Sequence, residues 1–167
     1  FYFLWHGQHG STRIIDNSKI VSEHPEAVTS EEAWYAAGGG DVNEFHYWGE
    51  PLLGYYSASD EWIYRKHVQM LTDAAVDFIV IDTTNAFTYS EPAKKLISVW
   101  YEFMLQGYNV PKIAYYTNSY SAHTINRIYD EIYNNADLRA KYPELDKLWF
   151  YMNGKPMIVG NEYDGEI

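Results

Sequence analysis

The chain alternates between apolar segments and polar turns in a pattern that is typical of a parallel β sheet. Four apolar segments have the length and the β-branched or aromatic content of buried strands, and each ends in polar residues. They cover residues 1–5, 78–81, 112–116 and 156–159. Segments with apolar positions at helical spacing lie between the later strands, so the pattern predicts a strand–helix–strand repeat.

Three helices and one hairpin are predicted from the same pattern. The first helix follows Ser59 as its N-cap, and its apolar face consists of Ile63, His67, Met70, Leu71 and Ala74. The second begins near Ser90 and stops at Gly107, a natural helix terminator. The third has its apolar positions at Ile125, Ile128, Tyr129 and Ile132. Residues 148–159 form a hairpin with its turn at Asn153-Gly154, and its second arm is the last strand.

Two architectures have this order of elements. A full (β/α)8 (TIM) barrel takes about 250 residues, and this chain supplies about four of its eight units. At 167 residues the chain has the length of one domain, so we expect residues 1–167 to be a single domain. It starts inside a strand and stops just after one, so we expect that domain to be a fragment of a barrel. The predicted fold class is α/β, a partial TIM barrel forming the N-terminal half of a truncated (β/α)8 catalytic barrel. A doubly wound, flavodoxin-like open sheet is the alternative.

The stretch between the first strand and the first predicted helix is unusually long. Residues 8–54 have weak periodicity, so we expect a long loop insertion after the first strand. Loops of this length inside a compact domain are usually functional or disordered, and the aromatic cluster at residues 45–48 argues against disorder. The Gly38-Gly39-Gly40 run lacks the lysine and serine of a phosphate-binding loop.

Composition narrows the function classes. The net charge of −11 at pH 7 disfavours binding to nucleic acid or to anionic membranes. No run of about 18 apolar residues is present, so no membrane span is predicted. The chain contains no cysteine, which excludes disulfides and thiolate chemistry. It contains 17 Tyr and 6 Trp, and such rings can stack on sugars, although a tyrosine-rich core would have the same composition.

The candidate site lies at the strand ends, where barrels and α/β sheets place their chemistry. The side chains there are mostly neutral hydrogen-bonding groups, which suit a polyhydroxylated substrate. The candidate substrate-binding residues are His6, His9, Trp48, Asp82, Asn85, Tyr116 and Asn118. His6 and His9 have no clear third ligand near them in the sequence, so we predict no metal site and no cofactor.

Two strand-end carboxylates are candidates for catalysis. Asp82 follows the second strand, and it could either contact substrate or hydrogen-bond the backbone of its turn. Glu162 follows the last strand, and it could act as an acid, a base or a substrate contact. Glycoside hydrolysis needs a pair of carboxyl groups, and the sequence does not show whether these two form one.

Several motifs resemble those of glycoside hydrolases of the family 71 and family 99 type. They are the first strand at residues 1–6, the segments 46–51 and 54–56, the helix and strand at residues 62–82, and the hairpin at residues 153–159. Ala75 stands where these families usually have glycine. The resemblance covers most of the chain.

The resemblance implies a (β/α)8 glycoside hydrolase that acts on polysaccharide or glycan chains, with α-mannosidic linkages as in family 99. It also implies export in bacterial relatives, hence a secreted, periplasmic or cell-surface location. The catalytic glutamates of the family lie in the second half of the barrel, so no catalytic residue is carried over and this fragment is expected to be inactive alone. A non-catalytic carbohydrate-binding barrel and a small flavodoxin-like binding domain are the alternatives.

Overall fold

A computed structural model describes residues 1–6, 13–42 and 44–161 of the chain. It divides the chain into two compact units. We call residues 5–60 the helical unit, and residues 1–4 together with the chain from Glu61 onward the sheet unit. In the described part of the chain, every helix is too short or too polar to span a bilayer.

The helical unit contains the whole of residues 8–54, for which we expected a long loop. Its described part holds α1 (Asn17–Glu23), a 3-10 turn (Pro25–Val28) and α2 (Glu31–Ala36). Hydrophobic periodicity does not predict these elements, because each is only one or two turns long. The two α-helices are also stabilised by caps. Asp16 caps α1 through the N–H groups of Ser18 and Lys19, and Ser30 caps α2.

The sheet unit begins with α3 (Glu61–Asp73), β1 (Phe78–Thr83), α4 (Ser90–Leu105) and β2 (Lys112–Thr117). It continues with α5 (Ser121–Ile128), a π-helical turn (Tyr129–Tyr133), α6 (Ala136–Lys141) and a 3-10 turn (Leu145–Leu148). It ends with β3 (Tyr151–Met152), β4 (Lys155–Pro156) and β5 (Ile158–Val159). The predicted strand–helix–strand repeat is therefore present, and the fold is mixed α/β with a parallel sheet.

The strands of the main sheet are neighbours in the order in which they occur along the chain. β1 pairs in parallel with β2, and β2 pairs in parallel with β5. On the other side of β1, Tyr2 forms a parallel bridge with Ile81. This order contains no reversal, whereas a doubly wound flavodoxin-like sheet requires one. The flavodoxin-like alternative therefore does not fit the described sheet.

Two of the predicted strands differ from expectation in length. The expected strand at residues 1–5 is reduced to a bridge at Tyr2, whose N–H donates to the Val80 carbonyl and whose carbonyl accepts from Asp82. The last strand is short because the β3–β4 hairpin interrupts it, and the Phe150 carbonyl accepts from the N–H of Met157 across the hairpin base. The predicted Asn153-Gly154 turn is confirmed, since both residues have positive φ.

The buried face differs from the predicted one in α3 and in the segment that follows α5. In α3 the buried residues are Ile63, Tyr64 and Val68, and Met70 is exposed.

Beyond α5, Ile128 and Ile132 are buried as predicted, but Tyr129 is exposed. Tyr129 starts the π-helical turn, where the wider winding changes which residues share a face. The prediction was therefore wrong for Met70, for Ala74, which is also exposed, and for Tyr129.

One face of the main sheet is covered by helices. Along β1, Ile79, Ile81 and Thr83 are buried, whereas the alternate residues are half-buried. In α4, Leu96 and Trp100 are fully buried, and the Trp100 indole N–H donates to the Pro111 carbonyl at 3.1 Å. These contacts fix α4 against the start of β2.

Candidate functional site

Three adjacent parallel strands end at one edge of the sheet unit, and polar side chains follow each of them. Asp82 on β1 is directly opposite Tyr116 on β2, and Tyr116 is opposite Val159 on β5. All three are at least partly accessible, whereas their neighbours Thr83 and Thr117 are buried. Asp82 and Tyr116 therefore lie side by side on the same face of the sheet.

Asp82 holds its own turn. Its Oδ1 accepts a hydrogen bond from the backbone N–H of Thr84 at 2.9 Å, which is an Asx turn. This is the backbone-binding role that the sequence left open beside a substrate contact. One of its oxygens therefore has a structural partner, while the half-buried side chain remains partly accessible.

Buried hydroxyl groups join the strand ends to one another. Thr83 Oγ1 donates to the Tyr116 carbonyl at 2.7 Å, across the β1–β2 pair. Thr117 Oγ1 donates to Ser121 Oγ at 3.0 Å and lies 3.3 Å from the Val159 carbonyl on β5. Sequence reasoning missed these positioning residues. The available signal was that both β1 and β2 end in threonine.

A pair of amides lies beyond β2 and β5. Asn161 Nδ2 donates to Asn118 Oδ1 at 2.9 Å, and the Asn161 backbone N–H donates to Ser121 Oγ at 2.9 Å. Asn118 is exposed and Asn161 is half-buried. The candidate residues from the sequence included Asn118 but not Asn161, although Asn161 occupies the equivalent position after β5.

The loops after β1 and β2 present exposed rings next to these polar groups. Phe87 follows β1 and Tyr120 follows β2, and both are largely exposed. Phe1 contacts the Tyr116 ring edge-on at 5.8 Å. We call this set the carboxyl edge, consisting of Asp82, Tyr116, Asn118 and Asn161 with the loop residues Phe87 and Tyr120.

Asn85 lies in the loop after β1 and supports that loop. Its Nδ2 donates to the Tyr89 hydroxyl at 2.6 Å, and the residue is exposed. Burial raises the pKa of the Tyr89 hydroxyl, which accepts this hydrogen bond.

The other candidate residues belong to the helical unit or lie outside the described residues. The His6 ring contacts the rings of Phe45 and Tyr56, at centroid distances of 5.1 and 5.2 Å, and its carbonyl accepts from the Ala58 N–H. Trp48 is exposed. His9 and Glu162 lie outside the described residues. Within residues 1–6, 13–42 and 44–161, no group of three or more His, Cys, Asp or Glu side chains is placed to hold a metal ion.

Comparison with known proteins gives one distant likeness. The chain is similar to the GH99 endo-alpha-mannosidase from Bacteriodes thetaiotaomicron, solved in complex with BIS-TRIS-Propane, with 21% sequence identity and a TM-score of 0.46. The match covers 68% of this chain and 33% of that chain, so this chain spans about a third of that structure. No protein-family model and no curated protein matches the chain. A likeness of this size is too slight to carry an argument about function.

Proposed function

We propose that the carboxyl edge binds a neutral glycan, and that the sheet unit is part of a (β/α)8 glycoside hydrolase acting on polysaccharide or glycan chains. The observation that carries the proposal is the composition of this edge. Three adjacent parallel strands end in amide, hydroxyl and carboxylate groups with exposed rings beside them. Such groups provide the directional hydrogen bonds and the stacking surfaces that sugars require.

The order of the strands supports the barrel part of the proposal. Each strand of a (β/α)8 barrel pairs with the strands before and after it in the sequence, and the described sheet follows this order. The half-buried face of β1 and β2, which carries Asp82 and Tyr116, would then face the barrel interior. The α-mannosidic specificity rests only on the resemblance of the sequence motifs to families 71 and 99.

A non-catalytic carbohydrate-binding barrel is the second candidate, and Asp82 is the observation that favours it. Hydrolysis needs two carboxyl groups on either side of the scissile bond. Among the described strand ends, Asp82 supplies a carboxylate, and the residues after β2 and β5 supply amides. The hydrogen bond from Thr84 also gives Asp82 a structural role that needs no chemistry.

Glycan binding to the chain tests both candidates. Isothermal titration of the chain with α-mannan oligosaccharides and a wider glycan panel should show saturable binding. Asn118→Ala should weaken that binding about tenfold, which corresponds to the loss of one hydrogen-bonding site of about 1.4 kcal/mol. Asn109→Ala is the matched control, because Asn109 is also exposed but precedes β2 instead of following it. No binding to any glycan would contradict both candidates.

Hydrolysis distinguishes the enzyme from the binding protein. Release of oligosaccharides by the complete gene product, reduced at least a hundredfold in Asp82→Asn, would support a catalytic role for Asp82. The asparagine can still accept the hydrogen bond from Thr84, so the turn should be preserved. Binding without hydrolysis of any glycan would favour the non-catalytic barrel.

A further inference from the structure

The helical unit contains a pocket that the proposed function does not use. It has a volume of about 600 Å³ and lies between α1, α2 and the segment that carries Asp41 and His46. This volume falls in the range of small-molecule sites in proteins. Its polar and aromatic lining includes Asn17, Glu31, Trp34, Tyr35, Asp41 and His46.

The rings of the pocket are held in place by specific contacts. The Trp34 indole N–H donates to the Gly40 carbonyl at 2.9 Å, and the ring stacks on His46 with an interplanar angle of 12°. A Cβ atom at position 39 would lie 2.1 Å from the indole of Trp34. The ring can therefore occupy this position only because residue 39 is glycine. Both His46 nitrogens have partners, Asn17 Oδ1 at 2.8 Å and the Asp41 carbonyl at 2.9 Å. Pre-organised rings lose little entropy when a ligand binds.

Asn17 provides a polar group that has spare hydrogen-bonding capacity. The residue is 8% exposed, and one polar atom of its amide bonds His46. Among the described residues, the other polar atom of the amide has no hydrogen-bond partner, whichever way the amide is turned. The Asn17 amide lines the pocket, so its second polar atom is available to a hydrogen-bonding ligand there.

The charge of the pocket limits the class of ligand. Glu31 and Asp41 contribute carboxylates, and within the described part of the chain no lysine or arginine lines the pocket. The Asp41 carboxylate raises the pKa of the Tyr35 hydroxyl, which hydrogen-bonds that carboxylate. Phosphorylated, sulfated or uronic sugars would meet repulsion here, whereas neutral hydroxyl groups would find carboxylate acceptors and an amide.

We infer that this pocket is a second site for a neutral saccharide, with Trp34, Tyr35 and Asn17 as its contacts. The inference rests on the proposed function for the class of ligand, but its location is independent of the carboxyl edge. A chain with two saccharide sites can bind a polymer more tightly than either site binds a single sugar.

Fluorine NMR of the chain labelled with 5-fluorotryptophan tests the location directly. Trp34→Phe identifies the Trp34 resonance among those of the 6 tryptophans. Titration with α-linked mannobiose and with cellobiose should shift that resonance in a saturable manner. Tyr35→Ala should raise the dissociation constant measured at this resonance about tenfold. Tyr108→Ala is the matched control, because both tyrosines are 48% exposed.

A second variant leaves every proposed contact in the sequence. Gly39→Ala should displace the indole and weaken the saccharide-dependent shift by a similar factor, while circular dichroism reports whether the fold is retained. A shift that is unchanged in both Tyr35→Ala and Gly39→Ala would overturn the inference. A response to tetramethylammonium chloride without a response to either disaccharide would also overturn it, since the pocket would then be a cation site.

The two proposals can fail separately. If Asn118→Ala abolishes glycan binding and the Trp34 resonance never shifts, the carboxyl edge binds glycan and the pocket does not. If the Trp34 resonance shifts and Asn118→Ala leaves glycan affinity unchanged, the pocket binds saccharide and the carboxyl edge is not a glycan site.

Discussion

At the scale of single residues, Asp16 shows how a buried carboxylate can organise its surroundings. Its Oδ1 accepts from the backbone and side chain of Ser18 and from the N–H of Gly49, and its Oδ2 accepts from Tyr55 at 2.6 Å. Burial acts to raise the pKa of this carboxyl, but the hydrogen bonds from Ser18, Tyr55 and Gly49 outweigh burial and hold the pKa well below its usual range.

The depressed pKa of Asp16 predicts a dependence of stability on pH. The stabilisation is fully present above the unfolded-state pKa of about 3.9, and it is lost as the pH falls from there towards the folded-state pKa. Asp16→Asn should lower the free energy of unfolding at pH 7 by about 1–2 kcal/mol. It should also make the remaining stability fall less steeply below about pH 5. Urea denaturation across this pH range measures both effects.

Glu23→Gln in the same helix is the control for Asp16→Asn. Glu23 is exposed, so its replacement should leave the stability at pH 7 within about 0.5 kcal/mol and keep the acid dependence of the parent chain. Equal acid dependence in Asp16→Asn and in the parent chain would show that Asp16 is not the group responsible.

Tyr133 is buried like Asp16, but its polar group differs from that of Asp16 in its hydrogen bonding. Its hydroxyl has no hydrogen-bond partner among the described residues, and burial raises its pKa well above the ordinary value. An unpaired buried hydroxyl costs free energy, so Tyr133→Phe should leave the free energy of unfolding unchanged or raise it. Thermal and urea unfolding measure the change.

Tyr2→Phe provides the comparison for Tyr133→Phe, because the Tyr2 hydroxyl lies 2.8 Å from His67 Nδ1. Loss of that hydrogen bond should cost about 1 kcal/mol. An equal loss in Tyr133→Phe would contradict the prediction and would mean that the Tyr133 hydroxyl has a partner such as a buried water.

At the scale of elements, the hydroxyl groups at the strand ends should determine how well the carboxyl edge is ordered. Thr83→Val removes the hydrogen bond from β1 to the Tyr116 carbonyl while keeping the shape of the side chain. We expect the free energy of unfolding to fall by about 1–2 kcal/mol, because the carbonyl loses a partner. Hydrogen exchange at the ends of β1 and β2 should become faster in the same variant.

Thr72→Val is the same substitution at a hydroxyl without a partner among the described residues. It should be neutral or stabilising, since it removes a buried polar atom that has no hydrogen bond. If both threonine variants lost the same stability, the change of side chain itself would be responsible and the strand-end hydrogen bond would not.

The elements that the sequence predicted correctly are those determined by continuous apolar runs. β1 and β2 are β-rich apolar segments that are paired in the sheet, and Asn153-Gly154 has the backbone preference that the hairpin turn requires. The length of the first strand was overestimated. Residues 1–5 alone do not show how many backbone hydrogen bonds they will form with a neighbouring strand. α1 and α2 were missed because caps such as Asp16 and Ser30 stabilise them more than periodicity does.

The candidate site was predictable only in part. Residues after a strand can be placed at an edge from the sequence, and Asp82, Tyr116 and Asn118 lie there in the structure. Asn118 and Asn161 both follow strands, so the sequence places both at this edge. Their hydrogen bond depends on the distance between two strands that are far apart in the sequence, so it could not be foreseen. The pocket of the helical unit depends on the close approach of Trp34 to Gly39, which has no signature beyond the glycine run.

At the scale of the whole molecule, the open face of the main sheet predicts how the chain of residues 1–167 behaves in solution. Parallel sheets are normally covered on both faces. On this sheet Phe1 is 78% exposed and Phe3 is 44% exposed, and they lie on the face opposite to the helices. Exposed apolar surface and unpaired strand edges favour association between molecules.

We therefore expect this chain to self-associate, and the association should increase with salt because salt screens the repulsion due to a net charge of −11. Sedimentation velocity at low and high sodium chloride measures the association, and binding of a hydrophobic dye reports the open face. Phe3→Ser should reduce both signals, whereas Leu52→Ser, which removes an exposed apolar side chain in the helical unit, should change neither. A monomer at high salt that binds no dye would mean that the open face is covered in solution, and the proposal that it faces a barrel interior would then lose its physical basis.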